Sequence, residues 1–339
     1  MSLIRATQTV ASCLLLLAGL SPSYAASTSC SASLSDQSFG AVDPFGGAVT
    51  TSATLNYSCT YSCSGLLDCL VGGLSADYVG MCFNVESGVQ GGGNCNPRQM
   101  LSGSNAMQFQ IYKDASYVNS WGSDSGCGGT NVQVNLNFAL FGNNTSSSGS
   151  LPVYGRVPGS QTALIPGSYS NAFTGASTKL SYQSTTALLG LGTYPACGTA
   201  NKGSFPFTAN ASVAKQCTVS ATDIDFGSRG PLTSAVTASS TITAKCTSTT
   251  AYQIGLDNGS NASGNTRRMR RASSSSYISY ELYSNTGRTL RWGNTLNVDR
   301  VSATGAGTAQ MFTVYGQVPA QTTPAAGTYA DTVNVTVTY

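Results

Sequence analysis

The sequence predicts an all-β fold, two tandem β-sandwich domains of which the second is short of its last strand. Three observations carry this. Short runs alternate apolar and polar residues and are broken by Gly, Pro, Asn and Ser. The chain repeats itself once. The first copy also owns one alternating run that the second lacks.

The alternation is clearest in NVQVNLNFAL, where Val132, Val134, Leu136, Phe138 and Leu140 share one face. TASSTITAKC and MFTVYGQVP follow the same period more weakly. Many short strands with closely spaced turn signals suit a sandwich of immunoglobulin type. The repeat rests on anchors kept in order. CSASLSDQSFG from Cys30 matches CTVSATDIDFG from Cys217, and the same offset carries Cys59 onto Cys246. FQIY with WG (Trp121–Gly122) returns as YELY with WG (Trp292–Gly293); VYGRVP and PGSY return as VYGQVP and AGTY. A period this long means tandem domains, not a solenoid.

The copies differ after those last anchors. The second continues with ADTVNVTVTY. The first continues with its counterpart, NAFTGASTKLSYQ, then adds SFPFTANASV, in which Phe205, Phe207, Ala209, Ala211 and Val213 alternate. A sandwich short of one strand has a groove and an unpaired edge, and the usual remedy is a strand from another chain.

Residues 1–25 read as a secretory signal peptide: Arg5, then the apolar run VASCLLLLAGL, then SPSYA with small residues at Ser23 and Ala25. The apolar run is too short to span a membrane. The expected domains are 26–213 and 214–339. Charged residues make up 9% of the chain and the net charge is +3, too little to argue for nucleic acid. There are eleven cysteines; with Cys13 in the leader an even set remains, as disulfides in an exported protein require. The repeat implies one equivalent disulfide per copy, Cys30–Cys59 and Cys217–Cys246. Cys63, Cys69, Cys82, Cys95, Cys127 and Cys197 remain open, with Cys63–Cys69 one plausible tight loop. The chain has no histidine. That removes Ser–His and Cys–His nucleophile pairs and the common zinc sites, so no catalytic residue, metal or cofactor is expected.

The Cys–FG–Cys opening, VYG-[RQ]-VP, the G-T-Y-x-D-T-V turn and the terminal V-x-V-T-Y resemble the spore coat protein U family, which includes subunits of archaic chaperone–usher pili. A two-domain member with an incomplete second domain resembles a Csu-type tip adhesin. The resemblance implies export through the periplasm to the pilus tip and a role in surface attachment and biofilm formation. The implied partners are a periplasmic chaperone, an outer-membrane usher and a neighbouring subunit that donates its N-terminal strand. Val333, Val335, Val337 and Tyr339 would line the edge that pairs with the chaperone. Only Ala26–Ser29 lie between the predicted cleavage site and Cys30, so this subunit is expected to accept a strand and give none.

Binding chemistry is expected in the extra apolar material of the first domain. CSGLLDCLVGGL holds Leu66, Leu67, Leu70, Val71 and Leu74; TTALLGLGTYPAC holds Leu188, Leu189, Leu191 and Tyr194. As exposed tips these would press into an abiotic or host surface. The competing reading for the first segment is a short core helix, since its leucines stand at helical spacing. Phe141 and the polar loop around Cys95 are lesser candidates. A lectin tip would need a planar aromatic with polar partners. Trp121 is one choice, but Trp292 holds the matching place in the other repeat, so both read as core. A purely structural coat subunit is the third alternative. The RRMRR run (Arg267, Arg268, Arg270, Arg271) reads as a solvated loop, and Asp223 and Asp225 as solvated or in a turn.

Overall fold

The computed structural model describes residues 27–62, 75–138, 145–188 and 192–339. Within these, every regular element is a strand except one 3-10 turn at Gly175–Ser177.

The first domain stacks an eight-stranded sheet on a three-stranded one. In spatial order the large sheet runs β1 (Ser27–Leu34), β3 (Val49–Ser62), β8 (Thr145–Val157), β6 (Asn105–Tyr112), β5 (Arg98–Ser102), β9 (Gly167–Phe173), β11 (Phe207–Val213) and β2 (Gln37–Ala41). The small sheet is β10 (Thr178–Leu188), β4 (Ser75–Val85) and β7 (Val132–Asn137). The second domain repeats the plan with fewer strands. Its large sheet is β12 (Cys217–Ala221), β13 (Val236–Cys246), β18 (Ala309–Val318), β16 (Tyr277–Tyr283), β15 (Arg267–Arg271) and β19 (Tyr329–Ala330); its small sheet is β17 (Val301–Thr304), β14 (Ala251–Leu256) and β20 (Val335–Thr338). Each sandwich closes on its own core. Leu55, Phe83, Phe109, Trp121 and Phe205 lie in the first, and Ile242, Ile254, Leu282, Trp292 and Val314 in the second. The alternation read from sequence places these residues, because successive side chains in a strand face opposite sides.

The repeat anchors have physical roles. Cys30 lies directly opposite Cys59, and Cys217 opposite Cys246, and both pairs are bonded. Two further disulfides, Cys82–Cys197 and Cys95–Cys127, occur only in the first domain; Cys63 and Cys69 lie outside the described residues. The glycine of VYG lets the segment after the first strand cross closely. A Cβ on Gly155 would meet Gln37 Oε1 at 2.5 Å and Phe39 Cζ at 2.8 Å, and one on Gly316 would meet Ile224 Cδ1 at 2.4 Å. The tyrosine of PGSY and AGTY closes its own corner: Tyr169 Oη donates to Ile165 O (2.9 Å) and Tyr329 Oη to Ala325 O (2.6 Å).

A buried arginine joins the two sheets in each domain. Arg98, on β5, donates from Nε to Glu86 O (2.7 Å) and from Nη2 to Val85 O (2.7 Å) and Trp121 O (2.9 Å). Nη1 bonds Gln110 Oε1, and Trp121 Nε1 donates to Phe83 O at 2.9 Å. Arg267 repeats this on Asp257 O, Leu256 O, Trp292 O and Glu281, with Trp292 donating to Ile254 O. Burial pulls the Arg98 guanidinium down to about 10, with Glu86 opposing, so it stays charged at neutral pH. The RRMRR run is therefore not a solvated loop. It is strand β15, Arg267 is fully buried, and Arg268 lies over the Tyr277 ring at 4.2 Å. A guanidinium can be buried here because backbone carbonyls satisfy its donors.

Replacing Arg98 by Met should leave three carbonyls short of a partner and cost about 3–5 kcal/mol. Lys should not rescue it, because an ammonium cannot span the fork. Urea unfolding of the full chain checks both.

Candidate functional site

The second domain holds an unfilled strand position. In the first domain β11 lies between two strands, antiparallel to β9 (Phe207↔Phe173, Ala209↔Asn171, Ala211↔Tyr169, Val213↔Gly167) and parallel to β2. The alternating run SFPFTANASV thus fills the groove with Phe207, Ala209, Ala211 and Val213, and Phe207 stacks on Phe173 at 4.4 Å. Among the described residues of the second domain, nothing pairs with the free side of β19. The segment matching β2, Ile224–Ser228, forms no strand although it keeps the same Phe-Gly pair.

Exposure records the vacancy. Met100, Met107 and Tyr169 are buried in the first domain, whereas their counterparts Met269, Ile278 and Tyr329 are half-buried. Two adjoining cavities of about 450 and 560 Å³ run along the position and share Ile224, Phe226, Met269 and Tyr329. Leu232, Val236 and Val318 wall one; Ile242, Leu282 and Val314 wall the other. On the wall of the larger cavity Tyr280 Oη donates to Asp331 Oδ2 at 2.8 Å. Burial first, and then that bond, push the Tyr280 phenol above its ordinary value, so it remains the donor.

The residues expected to line the assembly edge span a change of sheet. Register carried over from β9 sets Gly327–Val333 opposite the vacancy, which takes in Val333; Val335 and Val337 follow on β20, the outer strand of the small sheet. The chain crosses from the large to the small sheet between Ala330 and Val335, and β20 pairs with β14. Val333, Val335 and Val337 pack on the core, Val333 and Val335 also line the larger cavity, and Tyr339 is 53% exposed. Asp257 pins the crossing. Its Oδ1 accepts from the amides of Gly259 and Asn334 (both 2.9 Å) and its Oδ2 from Asn334 Nδ2 (2.7 Å).

The strand ends that flank the apolar segments of the first domain lie together at one end of the sandwich. β3 ends at Ser62, β4 starts at Ser75, β8 starts at Thr145 opposite Tyr61, and Leu188 of β10 lies opposite Ser75. Tyr61 and Phe138 contact there (6.0 Å between rings), as do Tyr78 and Tyr194 (5.3 Å). Tyr61, Phe138 and Tyr78 are buried and floor this end, while Tyr194 is 43% exposed. Leu66, Leu67, Leu70, Val71, Leu74, Phe141, Leu189 and Leu191 lie outside the described residues, as does the side chain of Leu188. The link to the second domain leaves from the other end, where Val42 bonds Ser212 and Lys245 lies over the Phe45 ring at 4.2 Å. β3 spans its 14 residues between the two ends, a length of about 45 Å. Neither tryptophan offers a stacking face, since both are buried.

A model of the Spore Coat Protein U domain matches residues 17–176 and 204–336. The chain belongs to this family. Protein U of Myxococcus xanthus is 42% identical over 81 residues, which is 24% of this chain and 45% of that protein; the match thus spans less than half of the relative's length. Among solved structures, the chaperone–tip adhesion subunit pre-assembly complex CsuC–CsuE from archaic chaperone–usher Csu pili of Acinetobacter baumannii is similar at 20% identity and a TM-score of 0.49, covering 92% of this chain and 100% of that one. The CupB6 tip adhesin of Pseudomonas aeruginosa is similar at 11% identity and a TM-score of 0.37, covering 92% and 94%. At these TM-scores neither likeness carries functional weight. What the family contributes is the frame, and the vacancy is a property of this chain's own second domain.

Asp257 is expected to make the last strand of this chain pH-sensitive. Its burial favours the protonated acid, but the Asn334 bonds, the Gly259 amide and Arg267 together outweigh this and hold the carboxyl low. A group depressed in the folded chain contributes fully above its unfolded value, near about 4, and that contribution is lost as pH falls through the folded value. Acidification below about pH 4 should therefore lower hydrogen-exchange protection of Val335–Val337 before that of β13. Asp257→Asn should remove the difference.

Proposed function

We propose that this chain is the adhesive tip subunit of a surface fibre of the archaic chaperone–usher type. Its second domain accepts a strand from another protein, and the far end of its first domain makes the surface contact. The observation that carries this is the vacancy between Ile224–Ser228 and Gly327–Val333, whose equivalent in the first domain is filled by β11. An unpaired strand edge beside open cavities that expose core side chains such as Met269 and Ile278 is an aggregation hazard unless something covers it. A periplasmic chaperone is the first occupant in this reading, the donor strand of an adjacent subunit the second, and an outer-membrane usher the site of exchange. The working location is outside the cell at the fibre tip, and the role is binding, with no reaction catalysed.

The adhesive half rests on the convergence of strand ends at the end of the first domain away from the linker. Three segments with apolar residues join those ends: 63–74, 139–144 and 189–191. Burying one leucine contributes about 1.5–3 kcal/mol, so a few hold a fibre reversibly and many fibres hold firmly.

Expressed with its periplasmic chaperone, the chain should purify as a one-to-one complex, and alone it should aggregate or be degraded. A stable soluble monomer without a chaperone would sink the acceptor reading. Changing Leu188, Leu189 and Leu191 together to Asn should cut attachment to bare plastic by about tenfold or more. Undiminished attachment would count against apolar contact, and inhibition by a free sugar would favour a lectin.

A further inference from the structure

The chain carries, in β11, a worked example of what fills such a groove, and the two grooves differ at identifiable walls. Resting on the acceptor reading above, we propose that the vacant groove selects a strand with a large apolar side chain at each end and a small one between. Its own β11 fits only in part.

Each position follows from register. Carried over the repeat, Phe207, Ala209 and Val213 fall opposite Val333, Asp331 and Gly327. Directly opposite residues of an antiparallel pair share a face, with Cβ atoms about 5 Å apart. At the first position the first domain stacks two rings, Phe207 on Phe173. Val333 stands where Phe173 does and is smaller, so the larger cavity has room for a full ring. At the middle position Ala209 is completely buried beside Asn171. Its counterpart position faces Asp331, which bonds Tyr280 at 2.8 Å, and Tyr280 replaces the slimmer Phe109. A bulky apolar group there must displace that pair or bury its carboxyl against hydrocarbon, and both are costly. Only a small residue fits.

The far end differs most. In the first domain Leu164, 3% exposed, belongs to the same core cluster as Val213, and Ile165 follows it half-buried. The second domain has Pro324 and Ala325 instead, both on the wall of the 450 Å³ cavity with Leu232 and Ile278. Valine underfills this space, and an unfilled apolar pocket forfeits contact energy. The favoured strand is therefore large at a residue six positions beyond its first anchor, about 20 Å along the strand.

Three labelled peptides test this on the full chain purified as its chaperone complex, where a peptide that binds takes the chaperone's place: Ser204–Lys215 as it stands, the same with Val213→Leu, and the same with Ala209→Leu. Fluorescence anisotropy gives the Kd, and hydrogen exchange locates the peptide. The Val213→Leu peptide should bind about fourfold more tightly than the unaltered one, as one added methylene implies, and the Ala209→Leu peptide about tenfold more weakly or worse. Protection should appear at residues 224–228 and 327–333. Equal affinities, or the reverse order, with protection in place would overturn the size pattern and leave the acceptor reading standing. No protection there from any of the three would overturn the acceptor reading itself. Because only the peptides are varied, misfolding of an altered protein does not enter.

Discussion

A strand's backbone groups need partners, and in this molecule one strand position decides how that need is met. The first domain meets it within the chain, since β11 bonds β9 on one side and β2 on the other. β2 owes its character to that neighbour. Phe39–Gly40 and Phe226–Gly227 are the same dipeptide in the same place, yet only the first belongs to a strand. Regular structure there is conferred by pairing and not by local preference, as β-propensity in general depends on context.

What was legible in the sequence is what is local or self-referential. Alternation is local, so Val132, Val134 and Leu136 could be placed on a strand. The repeat compares the chain with itself, so Cys30–Cys59 and Cys217–Cys246, and the extra run ending at Val213, followed from alignment alone. What was hidden depends on partners distant in sequence. RRMRR has the charge density of a solvated loop, and nothing nearby shows that carbonyls of residues 256, 257 and 292 wait for Arg267. A signal existed: Arg98-Gln-Met100 occupies the matching place, ahead of the matching Trp-Gly. That the final strand is split between two sheets was hidden for a similar reason. DTVNVTVTY alternates without a break, and alternation does not reveal that the chain changes sheets near Asn334.

The buried arginine and tryptophan also explain how a groove can stay open. Arg267 sits in the large sheet and bonds Leu256 of the small one, while the Trp292 ring bonds Ile254 there. These contacts cross the sandwich beside the vacancy and not through it. The walls are held in place before any strand arrives, so an incoming strand does not also bear the entropy of ordering them.

The disulfide from Cys82 on β4 to Cys197 has a kinetic meaning. It fastens the run between β10 and β11, which also bonds β10 where Leu180 meets Gly203. β11 thus returns to its groove as a tethered segment, at the high effective concentration a short tether imposes. An outside strand competing for the first groove meets a rival that never diffuses away. Among the described residues the second groove has no such rival, and on the acceptor reading the concentration of the outside strand governs how soon it is filled. On that reading one chain carries two versions of the same cleft, one closed by connectivity and one left to mass action.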